Sequence, residues 1–215
     1  SLESEISKNE IESLSYVLKE KKRGGTHLEI GTAAGGALCH LMELYAKTGS
    51  VPKFIVVDPM EYFPNQFEIV CENIKSRGLP LEKVEFLRTT STKAFSWAKE
   101  NNVKFDFILI DGNHKIRYVN EDLRWTRFLR PCGLLCVHDY SPRYPGVYLN
   151  MNRFLHKYAN YKILSQVETL LILEKKSASQ YPEISALDRL WATCLGPWFQ
   201  LKTSTAKRLK KLRSL

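Results

Sequence analysis

Four clusters of chemically able residues punctuate the chain: Glu29-Ile30-Gly31-Thr32-Ala33-Ala34-Gly35-Gly36, then Asp58, then Asp111 with His114, then His138-Asp139. In the first cluster, Gly31 and Gly35 permit a tight turn that lies close to a ligand where a side chain would block the approach. Gly36 then opens a helix with unpaired N–H groups. The spacing is G-x-x-x-G-G, not the G-x-G-x-x-G of pyrophosphate binders. Asp58 stands 27 residues beyond Gly31, where a carboxylate can accept two hydrogen bonds from a ribose diol. Together these features read as a site for a nucleoside without a diphosphate. The bland alternatives are a plain strand-to-helix connection and a turn residue before Pro59.

Asp111, His138 and Asp139 bring two carboxylates and an imidazole to one mouth, a set that can hold a hard divalent cation such as Mg²⁺ with positions left for substrate oxygens. Such a cation would lower the pKa of a bound hydroxyl and orient it. His114 has a side chain that titrates near neutrality and can deprotonate an acceptor hydroxyl; its alternative is a helix-start histidine bonded to backbone. His138 stands open between ligand, base and packed neighbour. His27, His40 and His156 fall in strand or helix patterns and read as structural.

These residues need a frame to hold them. THLEI, KFIVVD, KVEFL, FDFILID and GLLCVHD are five β-rich runs, each followed by a helical pattern. That alternation implies right-handed crossovers and a parallel sheet with helices on both faces. A helix over residues 147–158 comes next, then YKILSQV and ETLLILEKK, too close together for a crossover and therefore an antiparallel hairpin. The expected fold is a seven-stranded α/β sheet, mostly parallel. All four clusters end strands, so they should line one crevice at the carboxyl edge where strand order reverses.

Glu29-Ile30-Gly31-Thr32-Ala33-Ala34-Gly35 and the strand layout resemble the class I S-adenosylmethionine-dependent methyltransferases, over about residues 11–175. The resemblance implies a Rossmann-like methyltransferase sheet, with Glu29, Gly31 and Gly35 holding the methionine half of the cofactor and Asp58 the ribose. It places the adenine near Thr89, Thr90 and Ser91, and brings Asp111 against the cofactor. IDGNH and VHDY further resemble the O-methyltransferase branch that includes catechol, caffeoyl-CoA and macrolide-sugar enzymes, implying O-methylation of a small-molecule or sugar hydroxyl. Catechol-type enzymes carry Asp-Asn or Asp-Asp where this chain has His138-Asp139. The D-P-P-Y or N-P-P-Y signature of base N-methylation is absent, the equivalent place reading IDGN. Tyr and aromatic side chains in residues 140–148, with Met60, Tyr62 and Phe63, are candidates for a substrate wall or lid.

Two other classes compete. A nicotinamide-dependent oxidoreductase shares the sheet and the acid after strand two but needs the missing glycine spacing. A non-catalytic module would keep the fold and bind nucleic acid or membrane through a basic tail.

Length and composition bound the rest. With 215 residues and 44% hydrophobic content, one sizeable core is expected, and no apolar run approaches the ~20 residues of a membrane span. The opening SLESEISKNE lacks the basic start and apolar middle of a secretion signal. Five cysteines form no C-x-x-C pair. Cys39, Cys132 and Cys136 lie in apolar surroundings, so core thiols in a reducing compartment, the cytosol by default, are expected. A methyltransferase domain is assigned to residues 1–176 and an extension to 177–215. The extension holds seven Lys or Arg against Glu183 and Asp188. ALDRLWATCLGPWFQL is aromatic and apolar, and TAKRLKKLRSL is basic with Leu209, Leu212 and Leu215 at three-residue intervals. Contact with an anionic membrane or glycan, contact with nucleic acid, and a helix packed on the domain or on a homodimer partner are the readings open for it.

Overall fold

The computed structural model describes residues 6–21, 24–179, 182–196 and 198. Seven strands form one sheet in the order β3-β2-β1-β4-β5-β7-β6. They are β1 (His27–Ile30), β2 (Phe54–Val57), β3 (Val84–Leu87), β4 (Phe105–Ile110), β5 (Leu129–Val137), β6 (Tyr161–Val167) and β7 (Leu170–Lys175). The first five pair in parallel, and β7 runs antiparallel to both β5 and β6. The sheet is the one expected from the alternation of runs.

Burial explains the strand sequences. Central β2 and the last five residues of β5 are buried along both faces and read as unbroken apolar runs, as covered parallel strands do, while β1 is equally buried but carries His27 and Glu29. The edge strand β6 alternates more freely between exposed and half-buried positions. One apolar layer, around Trp125, Phe105 and Phe154, fills one side of the sheet. The other, around Leu38, Met42 and Ile74, fills the opposite side.

Six helices accompany the strands: α1 (Lys8–Lys21), α2 (Gly36–Ala46), α3 (Gln66–Ser76), α4 (Ser91–Glu100), α5 (Ile116–Leu123) and α6 (Pro145–Lys157). A seventh, α7, covers residues 186–196. α6 starts two residues before the sequence pattern suggests, because Pro145 at its first position has a backbone angle already suited to a helix. α7 lies against α5 and α6. Buried Asp188 takes Arg153 at 3.1 Å and Lys157 at 2.5 Å, and Arg189 meets Glu121 at 2.5 Å. The segment TAKRLKKLRSL lies outside the described residues.

The cysteine expectation needs one correction. Cys39 and Cys136 are buried, but Cys132 is exposed. The register between β4 and β5 jumps from Phe105↔Leu129 to Phe107↔Leu134. Arg-Pro-Cys-Gly bulges out of the ladder there, with Cys132 at φ 62°, and an apolar neighbourhood in sequence does not survive the bulge. All five thiols are free.

Candidate active site

β1 and β4 are neighbours, and the chain order departs in opposite directions from that pair. Their carboxyl ends deliver the Gly31 turn and Asp111, while β2 and β5 deliver Asp58 and His138-Asp139 on either side. The structure therefore brings the four clusters to one edge.

The glycine turn is close for a reason the sequence does not show. A side chain on Gly31, at φ 82°, would place its Cβ 2.4 Å from the Asp111 carbonyl oxygen. What crowds Gly31 is the adjacent loop after β4, so its bareness lets two strand-end loops touch. Gly35, at φ 79°, precedes α2 as its N-cap.

Thr32 is clamped between two acids. Its amide donates to Asp58 Oδ2 at 3.0 Å and its hydroxyl to Glu29 Oε2 at 3.0 Å. The Met60 amide donates to Asp58 Oδ1 at 2.6 Å. Gln66 Nε2, bonded to the Ala33 carbonyl at 2.9 Å, reaches the same oxygen at 3.4 Å. Asp58 Oδ1 thus accepts two bonds and Oδ2 one, which leaves a lone pair on Oδ2. Burial pushes the Glu29 carboxyl up to about 8, and the nearby charges of Asp111 and Asp58 add to the rise against the Thr32 hydroxyl. Three carboxyl groups thus converge around one turn, and a cation placed among them would be favoured and would draw the Glu29 proton off.

The second half of the site is a chain of acids and imidazoles. His138 Nδ1 is 2.9 Å from Asp111 Oδ1 and its Nε2 is 3.3 Å from Glu10 Oε2. Burial opposes charge on this ring, but Asp111, Asp139 and Glu10 carry its pKa up to about 9. Burial likewise lifts the Asp111 carboxyl above its usual range while His138 pulls it back. His114 Nε2 meets Asp139 Oδ2 at 2.9 Å, and that bond holds the His114 pKa above its ordinary value despite partial burial. The ring stands edge-on to Tyr144, with centroids 4.8 Å apart. Gly146 lets α6 close on this loop, since a Cβ there would fall 2.1 Å from the His114 carbonyl oxygen.

Sequence reasoning missed Glu10. It lies in α1 and is 2% exposed. It accepts the Thr169 amide and hydroxyl at 2.9 Å each, and the Ser7 amide at 2.9 Å. These bonds and His138 outweigh burial, so its carboxyl stays below the ordinary range. A buried glutamate in the first turn of an amphipathic helix gives no signal of a histidine partner so distant in sequence.

Other expected positions are occupied differently. Thr90 caps α4, its hydroxyl oxygen accepting the Lys93 amide. Ser91 donates its hydroxyl to Asp122, whose carboxyl burial lifts to about 7. Met60 is buried, Tyr62 is 76% exposed, and Tyr140 stacks on Tyr148 at 5.3 Å. Among the predicted structural histidines, His27 is buried between the Gly25 carbonyl and the Tyr45 hydroxyl, while His40 stands 3.7 Å from Glu43.

Asp111, His138 and Asp139 offer one donor atom each within 4.8 Å of one another. Two carboxylate oxygens and an imidazole nitrogen at this spacing fit a divalent cation, which would have to displace the proton that His138 Nδ1 shares with Asp111.

A seven-stranded sheet ending in an antiparallel hairpin, with an acid-ringed glycine turn at its switch point, defines the class I methyltransferase fold. The chain belongs to the methyltransferase-domain family whose pattern matches residues 28–140. It is therefore a methyltransferase, and the nicotinamide reading is set aside. Among curated proteins none matches the sequence. Solved structures do resemble it. An O-methyltransferase from Bacillus cereus, in complex with SAH, shares 16% identity over 80% of this chain and 83% of its own, with a TM-score of 0.62. TomG from Streptomyces achromogenes, involved in tomaymycin synthesis and solved with SAM, shares 15% over 80% and 81%, at 0.63. CalS11, a TDP-rhamnose 3'-O-methyltransferase of calicheamicin biosynthesis, shares 13% over 79% and 81%, at 0.62. At such identities the likeness is one of fold.

Proposed function

We propose that the chain methylates a hydroxyl of a small molecule or sugar, using S-adenosylmethionine, with His114 as the base that takes the hydroxyl proton. One juxtaposition carries this reading: three carboxyl groups around the Gly31 turn stand beside a half-exposed histidine braced by the carboxylate of Asp139. S-adenosylmethionine supplies an already activated methyl on a cationic sulfur, so the protein's task is alignment and exclusion of water.

Glu29, Asp58 and the Gly31–Gly35 turn hold the cofactor. The acids suit its positive charge, and the lone pair left on Asp58 Oδ2 suits a ribose hydroxyl. Asp111, fixed by His138, borders the same turn. Asp139 orients His114 through Nε2 and leaves Nδ1 to accept a proton from the acceptor oxygen as that oxygen attacks. The loop after β3, with Thr90 and Ser91, is the reading for the adenine; Tyr144 and the stacked Tyr140 and Tyr148 suit a substrate wall. Asp111, His138 and Asp139 would hold a divalent cation, which would supply charge to stabilise the developing oxyanion. A hydroxyl acceptor also agrees with TomG and CalS11, two O-methyltransferases that share the fold. No helix among the described residues is long and apolar enough to cross a membrane, and five free thiols favour a reducing compartment such as the cytosol.

Calorimetry with S-adenosylhomocysteine, with and without Mg²⁺, tests the assignment. Asp58→Ala should abolish binding, whereas Asp111→Ala should spare binding and remove turnover. Absence of binding to the native protein would overturn the cofactor reading. Unchanged turnover after chelation would overturn the metal's part alone.

A further inference from the structure

A second concavity lies at the opposite edge of the sheet from the candidate mouth. Its walls come from the turn before β5, the end of α6, the segment after β7 and the start of α7. These pieces meet where the parallel strands begin, whereas Asp111, His114 and His138 stand where they end. The cavity measures about 970 Å³, a size that suits a small molecule. Arg124, Arg127, Lys157 and Arg189 line it, and among the described residues no Asp or Glu does.

Local geometry sets the two inner arginines. Arg124–Phe128 is a 3-10 turn, in which side chains three apart eclipse, so Arg124 and Arg127 project together. Both guanidinium carbons lie over the ring of Phe95, at 4.1 and 5.2 Å from its centroid. Arg124 shares Glu121 with Arg189, and Lys157 shares Asp188 with Arg153. Arg127 has no ion-pair partner among the described residues. It donates to the carbonyls of Glu183 at 2.8 Å and Ile184 at 3.2 Å, while the Glu183 carboxylate meets Lys175 at 2.6 Å. Five cations therefore surround two acids, an excess of three (5 − 2). The Nε of Arg124 and that of Arg127 are buried without an acceptor. Burial and the charge of Arg124 hold the Arg127 guanidinium below its usual range. Like charges packed side by side, one of them unneutralised, favour an anion beside them. Ser185 and Ala186 bring the first turn of α7 to the same space, adding the positive end of a helix.

We propose that this cavity binds a soluble small molecule bearing a pyrophosphate or other multiply charged phosphate group, held by Arg124, Arg127, Lys157 and Arg189. Guanidinium groups meet phosphate oxygens through paired hydrogen bonds, which suits a site where three of the four cations are arginine. Asn160, Ser177 and Ser179 line the remaining wall with neutral polar groups, suited to the hydroxyls of an organic body. A concave site fits a small molecule better than it fits a duplex or a bilayer, which need an open face. The acids around the Gly31 turn would repel such a ligand, so the two sites do not compete. The proposal stands independently of which hydroxyl is methylated.

The test is calorimetric titration of the full chain with inorganic pyrophosphate in metal-free buffer. Binding should saturate at a single site and weaken as salt rises. Arg127→Gln and Arg189→Gln should each weaken it by about tenfold or more. Lys47→Gln, an exposed change at the end of α2, should leave it alone. If Arg127→Gln lowers the Tm by releasing the Glu183 and Ile184 carbonyls, Arg189→Gln decides, its side chain being 46% exposed. Absence of saturable binding overturns the proposal. So does binding that neither arginine variant weakens, binding that Lys47→Gln weakens equally, or capture by phosphatidylglycerol vesicles in place of pyrophosphate.

Discussion

Glu10 Oε2 and His138 Nε2 lie 3.3 Å apart, so the first helix reaches the carboxyl edge of the sheet and fixes a ring whose other nitrogen meets Asp111. The imidazolium between two buried carboxylates joins α1 to β4 and β5 electrostatically. Glu10→Gln keeps the shape and the acceptor for Thr169 but removes one of the charges that stabilise His138. The His138 ring titration, followed by NMR, should fall from about 9 toward its ordinary value, with stability lower by roughly 1–3 kcal/mol. An unmoved titration would show that Glu10 does not act on the ring.

Glu29 should make cofactor binding proton-linked. Its carboxyl, pushed to about 8 by burial, is mostly protonated at neutral pH, and a cationic ligand beside it lowers that value. Between the bound and free pKa, binding then releases a proton, and affinity rises with pH until about 8 and levels off. Calorimetry in buffers of different ionisation enthalpy measures the release, which Glu29→Gln should eliminate.

The pairing of His114 with Asp139 sets a pH–rate profile. His114 acts when neutral, and Asp139 holds its pKa above the ordinary histidine value. Turnover should rise with pH through a midpoint above 6.5. Asp139→Asn should move that midpoint down while lowering the plateau, by about 10²-fold or more if the base is misaligned. A plateau reached at the same pH in both proteins would remove His114 from the reaction.

His27 makes stability depend on acidity. Burial among Tyr45, Phe54 and Phe107 lowers its pKa to about 4 from 6.5. The unfolded chain therefore binds the proton that the folded one refuses. This contribution is fully present above pH 6.5 and is lost as pH falls toward about 4, a change of roughly 3 kcal/mol from the size of the shift. Urea unfolding across that range should show a steeper loss in the native protein than in His27→Gln. Parallel slopes would assign the acid sensitivity to other groups.

The sequence by itself determined the sheet and the edge on which chemistry collects. Strand runs such as FIVV and LLCV are apolar because both faces of a central parallel strand are covered, and that requirement is written residue by residue. Gly31, Asp58, Asp111 and His138-Asp139 were legible for the same reason, each standing where an apolar run stops.

Tertiary structure decided the pairings. Sequence spacing does not reveal that Gly31 is bare because the Asp111 backbone presses on it, that Ser91 is bonded to Asp122, or that Cys132 rides a bulge into solvent. Nor does it link Glu10 to His138, because a hydrogen bond depends on distance in space, and long-range contacts across a sheet edge leave no periodic trace along the chain. Patterns of burial are local and repeat with the geometry of helix and strand; the partners of a buried charge are chosen only when separate elements meet.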